Sequence, residues 1–409
     1  MKNTSLSKII ILIIIPILSL YIGLFLNEDL STGGSKLDFF QTYPAVKDFS
    51  NFIYNQSYLH TRHFPLHYII LSIPHIFFEE IFVLRFIYLS TSLLLPVLLY
   101  FNLCKIYKSQ KINNLIISFS LLFLPFVRAS AIWPNAHLTA VIFLLAANFF
   151  FLLNLEKSKF TFKFLNIFFL SLATYCIQSY AVLFLFYLFS YYKNISKNEF
   201  FSLLMICVLF SLPGFYLILN TPTGTKLAFT KNISYTLITN LSIIFFFLLF
   251  FILNKKNVFD LKRYVFELKF TETLVIFIIF LILIFTYEKS FLLTGGGFFY
   301  KLSFFLFKNN FLFFTSSFFG LIICYIMYKN EKNLFYSIFL INLTAVAYYT
   351  SQKYFEPLLI VSILILSENF LSRNVIKNFR YSLLFYLLIF SYFIIALVND
   401  TYNLSKVIS

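Results

Sequence analysis

The chain has 409 residues, 60% of them hydrophobic and only 12% charged, with a mean hydropathy of +0.86 and a formal net charge of +16. Globular proteins carry about 25% charged residues, so an ordinary soluble domain is excluded. The positive charge does not read as a nucleic-acid surface, because the lysines sit in short clusters at the ends of apolar runs, which is the pattern of an integral membrane protein.

Apolar runs of 16–22 residues recur from one end of the chain to the other. They lack the period-2 alternation of an outer-membrane barrel strand. In hydrocarbon every backbone N–H and C=O needs an internal partner, so the runs are expected to be helices. The predicted spans, in chain order, are 8–26, 84–104, 113–127, 137–154, 164–178, 179–192, 200–219, 234–253, 270–287, 310–328, 335–350, 357–371 and 381–398. The expected fold class is therefore all-α: a polytopic integral membrane protein of 13 transmembrane helices, one membrane domain over 1–409, without a separate soluble domain. The pair 164–192 leaves about 15 residues per pass where roughly 20 is usual, so a short hairpin within the bundle is the alternative there.

The first run follows a short basic start and has no small-residue cleavage site after it, which reads as an uncleaved first helix. Residues 27–83 form a long first external loop, the most polar part of the chain. In it, Glu28, Asp29, Asp38 and Asp48 precede the cluster His60-Thr61-Arg62-His63-Phe64-Pro65-Leu66-His67-Tyr68. Residues 66–83, with Pro74, His75, Glu79 and Glu80, are too short and polar to span and suit an amphipathic helix at the interface. Further on, Gly295-Gly296-Gly297 reads as a hinge or plain loop, since no Lys-Ser/Thr follows to make a phosphate cradle. Cys104, Cys176, Cys207 and Cys324 have no paired spacing, so neither a disulfide framework nor a zinc site is supported. The 61 Phe accompany a general bias toward Ile, Lys, Asn and Tyr and need no functional cause.

Charge placement sets the expected topology. With the N-terminus cytoplasmic and the sides alternating, 19 of the 32 basic residues fall in short cytoplasmic segments, a bias for N-inside and C-outside. Segment 27–83 is then external, as are 128–136, 220–233, 288–309 and 351–356.

The polar residues on that side are the candidates for chemistry. Asp38 could accept a proton from an attacking hydroxyl or amine; the plainer reading of an isolated loop acid is a solvated side chain. Asp48 offers similar chemistry, whereas Glu28 and Asp29 lie nearer the helix end and suit capping or plain loop positions. His60, His63 and His67 are spaced as on one helix face, but Pro65 would break such a helix. No Cys or Asp completes a metal-ligand set nearby, so contact with substrate or phosphate and interfacial packing are the readings kept. Arg62, Arg85, Arg128 and Lys353 sit at or near helix ends. Such cations either snorkel to lipid headgroups or clamp a phosphate. Arg128 has Trp133, Asn135 and His137 close by, and Lys353 lies in Gln352-Lys353-Tyr354-Phe355-Glu356-Pro357.

One helix, a long external loop with an early Asp38, the element Phe64-Pro65-Leu66-His67-Tyr68, and then Leu84-Arg85 opening the next helix form a recognisable order. The chain resembles polytopic glycosyltransferases of the GT-C fold, in particular bacterial relatives of the protein O-mannosyltransferase and aminoarabinose-transferase group. Leu124-Pro125-Phe126-Val127-Arg128-Ala129-Ser130-Ala131-Ile132-Trp133 is similar to the segment after the third helix in that group, and Lys353-Tyr354-Phe355-Glu356-Pro357 to its late basic-Tyr-x-x-Pro element. The chain has Asp38-Phe39 where the group often has Asp-Glu, and a single Pro65 where it often has Pro-Pro. The resemblance implies a polyprenyl-phosphate-sugar donor and a glycan, lipid or protein acceptor. It also implies a periplasmic-side site in a bacterial inner membrane, with Asp38 as base. Arg62, His63, His67, Arg85, Arg128, Lys353 and Tyr354 would contact substrate or phosphate, with Asp48, His60 and His137 as secondary candidates. No cofactor is implied with certainty, and a divalent metal is unsupported.

Two other readings compete. An O-antigen-type polymerase also uses polyprenyl-linked sugars, but such proteins usually place their long Arg-bearing loop in the second half. A lipid-linked sugar transporter or flippase should carry mid-span charges and related halves, and the spans here are nearly free of charge.

Overall fold

The computed structural model describes residues 6–31, 34–48, 63–220, 233–288, 297–344, 352–366 and 368–401, and within them every element is a helix. The candidates His60 and Arg62 lie outside these residues. The chain separates into two compact units, 1–227 and 228–409.

In the first unit, α1 (Leu6–Phe25) is followed by α2 (Gly34–Lys47) and α3 (Leu66–Phe77). Next come α4 (Ile81–Ser92) and α5 (Leu94–Ile106), which together make a 26-residue apolar span. Helix α6 (Lys111–Ser120) runs through a short 3-10 turn into α7 (Pro125–Ile132), bent by 67°. Pro125 causes the break: it occupies the first helical position, where its missing N–H costs nothing, while Leu124 before it is extended. Helix α8 (Ala136–Lys157) is capped by the Asn135 side chain, which accepts from the His137 N–H at 3.0 Å. It closes at Ser158 in the left-handed conformation and packs against α9 (Phe160–Cys176). A 3-10 turn, α10 (Phe184–Asn194) and α11 (Lys197–Asn220) complete the unit.

The second unit contains α12 (Ile233–Ile252), α13 (Lys255–Phe266), α14 (Phe270–Phe285), α15 (Gly297–Phe307), α16 (Phe311–Asn330) and α17 (Lys332–Thr344). After a 3-10 turn at Gln352–Tyr354 come α18 (Glu356–Ile365), α19 (Phe370–Lys377) and α20 (Phe379–Thr401). The unit is built around α12, whose apolar window is 78% buried. Small residues let α16 come close to it: Ser242 and Ser316 share a 2.7 Å hydrogen bond, Ser317 donates to the Ile238 carbonyl, and Gly320 lies against the Leu241 carbonyl.

Among the described residues, seven helices are long and apolar enough to cross a membrane, or up to ten if each bent pair counts as one span. This is a polytopic membrane architecture, and where the described helices differ from the predicted runs the differences have physical causes. Residues 164–192 become the 17-residue α9, then a break at extended Ile177 and the 11-residue α10. Neither helix reaches the ~20 residues a full crossing needs. In the run at 335–350 the described helix is α17, and 345–350 lie outside the described residues. The runs at 113–127, 270–287 and 357–371 belong to bent pairs.

Candidate functional site

The polar residues of the first unit gather where the C-terminal end of α1, the first turns of α4, and the α7–α8 corner meet beneath α2 and α3. Trp133 is the hub. It is 2% exposed, and its indole Nε1 donates to the Glu28 carbonyl at 3.0 Å. The Phe39 and Phe40 rings of α2 pack on it at 6.0 and 5.8 Å between centroids. The Lys36 ammonium lies 5.3 Å from its ring centroid, and the Arg85 guanidinium stacks on it at 3.5 Å.

The two arginines of this site have different surroundings. Arg128 is 1% exposed at its side chain and is filled. Its Nε and Nη2 donate to both oxygens of Glu28 at 2.7 and 2.8 Å, and Nη1 and Nη2 donate to the Ser19 hydroxyl and carbonyl at 2.9 Å. This fork-to-fork arrangement is strong and geometrically specific. It explains Gly23, where an added Cβ would lie 2.8 Å from Glu28 Oε2 and 2.9 Å from Arg128 Nη2. Arg128, expected from the sequence to face a phosphate, here pins α7 to the end of α1.

Arg85 is 4% exposed, and its partners are neutral. Its Nε donates to the Ile132 carbonyl at 2.9 Å and its Nη1 to Asn27 Oδ1 at 2.7 Å, with Asn27 held at a φ of +54°. Its Nη2 has no hydrogen-bond partner among the described residues. A buried cation with no carboxylate beside it has a net positive charge to offer, and an unfilled N–H with which to bind an anion.

Asp38 lies half-buried on α2, one position before Phe39, whose ring rests on Trp133. Asp48 is exposed, just past the end of the same helix. Asp29 organises the approach to α2: its carboxylate accepts from the Ser31 N–H and hydroxyl at 3.0 and 2.5 Å and from the Lys36 N–H at 2.7 Å. Asp29 thus ties down the turn into α2, while Glu28 is the ion-pair partner of Arg128.

Pro65 places the histidines. Helix α3 begins just after it, so His63 precedes the helix and His67 lies in its first turn. His67 is 1% exposed; its Nδ1 shares a 2.9 Å hydrogen bond with Thr139, which also meets the Tyr88 hydroxyl at 2.9 Å. Burial, reinforced by the charge of His63, pushes the His67 pKa down to about 3, against a smaller opposing effect of its hydrogen bond to the Pro134 carbonyl. His67 is thus buried and hydrogen-bonded to Thr139, in surroundings that favour its neutral form. The His63 ring stands edge-on to His137 at 5.2 Å. Among the described residues no group of three or more His, Cys, Asp or Glu is placed to hold a metal.

Lys353 and Tyr354 belong to the second unit, in the 3-10 turn before α18, where Lys353 is half-buried. In the same turn Gln352 donates to the Tyr392 hydroxyl at 2.6 Å, and that hydroxyl donates to buried Glu356 at 3.2 Å. The sequence reading missed three participants of the first unit's site: Asn27, Lys36, and Trp133 as a hub rather than only a neighbour of Arg128. That Trp133 is the only Trp in the chain was the available signal.

Compared with protein-family models, with curated proteins and with solved structures, the chain matches none of them.

Proposed function

We propose that this chain is a membrane glycosyltransferase of the GT-C kind, moving a sugar from a polyprenyl-phosphate donor to an acceptor hydroxyl or amine. The observation that carries the reading is Arg85: a buried guanidinium without a carboxylate partner among the described residues, stacked on the Trp133 wall that also supports the Asp38-bearing helix. An anionic group of a substrate would supply the missing counter-charge. In the proposed reaction the acceptor oxygen or nitrogen attacks the anomeric carbon, and the bond from that carbon to the phosphate oxygen breaks. The electron pair leaves with the lipid phosphate, and Asp38 takes the acceptor's proton. Arg85 neutralises the departing phosphate. A polyprenyl tail gives a reason for a membrane-embedded protein, since the tail lies in hydrocarbon while the phosphate reaches the polar end of the helices. In this reading the N-terminus is cytoplasmic and the site faces the periplasmic side of a bacterial inner membrane.

The test incubates purified protein with a panel of polyprenyl-phosphate sugars and measures release of free lipid phosphate. Wild-type protein should release it, Asp38→Asn should abolish release, and Arg85→Gln should reduce it on the order of 100-fold, the usual cost of removing one preorganised stabilising donor. Full activity of Asp38→Asn removes that residue from the mechanism, and full activity of Arg85→Gln removes the phosphate role of Arg85. No release from any donor sinks the reading.

A further inference from the structure

Helix α13 lies between two apolar helices and meets α14 at 100°. Where the apolar α14 enters the bilayer, the 100° bend lays α13 along its face. Its composition fits that position. One side is fastened inward by buried Asn257 and Leu261, while Val258, Phe259, Val265 and Phe266 are exposed beside the exposed cations Lys255, Lys256, Lys262 and Arg263.

Helix α19 is locked alongside. Asn257 donates to the Leu371 carbonyl at 3.1 Å, and Asn374 donates to Asn257 at 2.6 Å and to Asp260 at 3.0 Å. The Tyr264 ring meets Phe370 at 5.6 Å. In α19 the residues from Phe370 to Ile376 are all buried except Arg373, so the exposed stripe of this helix is Arg373 and Lys377, one turn apart.

These cations differ from Lys105, Lys108 and Lys329. Lys105 and Lys108 are both neutralised by Glu156, at 2.8 and 3.1 Å, and Lys329 by Glu272 at 3.0 Å. Among the described residues no ion pair joins Lys255, Lys256, Lys262 or Lys377 to a carboxylate. Arg263 pairs loosely with Glu267 at 3.6 Å, and Arg373 lies within electrostatic reach of Glu331. Asp260, the acid within α13, is held by Asn374.

We propose that α13 and α19 form a rigid basic platform that binds the headgroups of anionic phospholipids. The apolar flank of α13 enters the acyl boundary, and the lysines reach the phosphates above it. The hydrogen-bonded asparagines keep the two helices, and so their cations, at a fixed spacing.

The test reconstitutes the full chain in phosphatidylcholine bilayers. It measures, by electron paramagnetic resonance, the motionally restricted fraction of spin-labelled phosphatidylglycerol against spin-labelled phosphatidylcholine. Wild-type protein should prefer the anionic lipid by about threefold or more. That preference should fall to about one in ~1 M salt, where the screening length is about 3 Å. The variant Lys255→Gln/Lys256→Gln/Lys262→Gln/Lys377→Gln should lose it while keeping its helical circular dichroism. The milder Lys262→Gln/Lys377→Gln should lose part of it. The control Lys105→Gln/Lys108→Gln should keep it. No preference in wild-type protein, an unchanged preference in the fourfold variant, or an equal loss in the control would each overturn the proposal.

Discussion

Arg85 and Arg128 are both almost fully buried, yet neutralising them should have unequal consequences. In Arg128→Gln, the Glu28 carboxylate, 9% exposed, loses a guanidinium that donates to both its oxygens. An orphaned partner of a buried ion pair costs about 3–5 kcal/mol. For a unit of this size that is a fall in midpoint of roughly 6–20 °C. In Arg85→Gln the amide can keep one of the two hydrogen bonds, to the Ile132 carbonyl or to Asn27. The other bond, about 1.5–3 kcal/mol for a charged donor, is lost. So is the stacking on Trp133, about 1–2 kcal/mol for a desolvated contact. Against these, the desolvation of a cation with no counter-charge, several kcal/mol, is relieved. The two sides nearly cancel, leaving a change within about 1 kcal/mol. Thermal or denaturant unfolding in a fixed detergent, followed by circular dichroism, reads both variants side by side. If Arg85→Gln destabilises as much as Arg128→Gln, Arg85 is a structural arginine and the case for a charge awaiting an anionic ligand fails.

The other predictions concern the supports of the site and the packing of each unit. Gly23→Ala forces a Cβ against the Glu28–Arg128 pair and should cost about 1–3 kcal/mol, read as a lower unfolding midpoint. Gly320→Ala pushes a Cβ into the Leu241 carbonyl and should destabilise the second unit by a similar amount; an unchanged midpoint would deny the close α12–α16 approach. Asp29→Ala removes the acceptor of the Lys36 N–H and should cost about 1–2 kcal/mol, with faster amide exchange at Ser35 and Lys36. The His67 pKa of about 3 lies below the ordinary 6.5, so the unfolded chain gains a proton as pH falls through 6.5 while the folded chain does not. Stability should therefore be full above pH 6.5 and fall as pH drops from there toward 3, and His67→Gln should flatten that slope.

Much of the candidate site was legible as residue types and almost none of it as pairings. Asp38, Arg85, Arg128, His63 and His67 stand out because polar side chains in an apolar chain are few, and lipid makes each of them costly. The sequence does not distinguish the two arginines. Glu28, 100 residues from Arg128, looks like a loop acid until the end of α1 and α7 lie side by side. The three-and-four spacing of the histidines suggested one helical face; Pro65 divides it, and His67 finds Thr139 on α8 instead. The number of long straight helices was not legible for a related reason. Hydropathy registers apolar length, but a break at Ile177 or a bend at Pro125 divides an apolar run without altering its composition.

By itself the sequence determined the solvent of this protein and its secondary structure, because a chain this apolar can satisfy its backbone in hydrocarbon only through helices. It determined too where polar chemistry could reside, at the helix ends. The tertiary structure alone decided which charges cancel and which remain. Ion pairing acts over a few ångströms between residues distant in the chain, so Glu28 neutralises Arg128 while Arg85, on the neighbouring wall, faces only neutral partners.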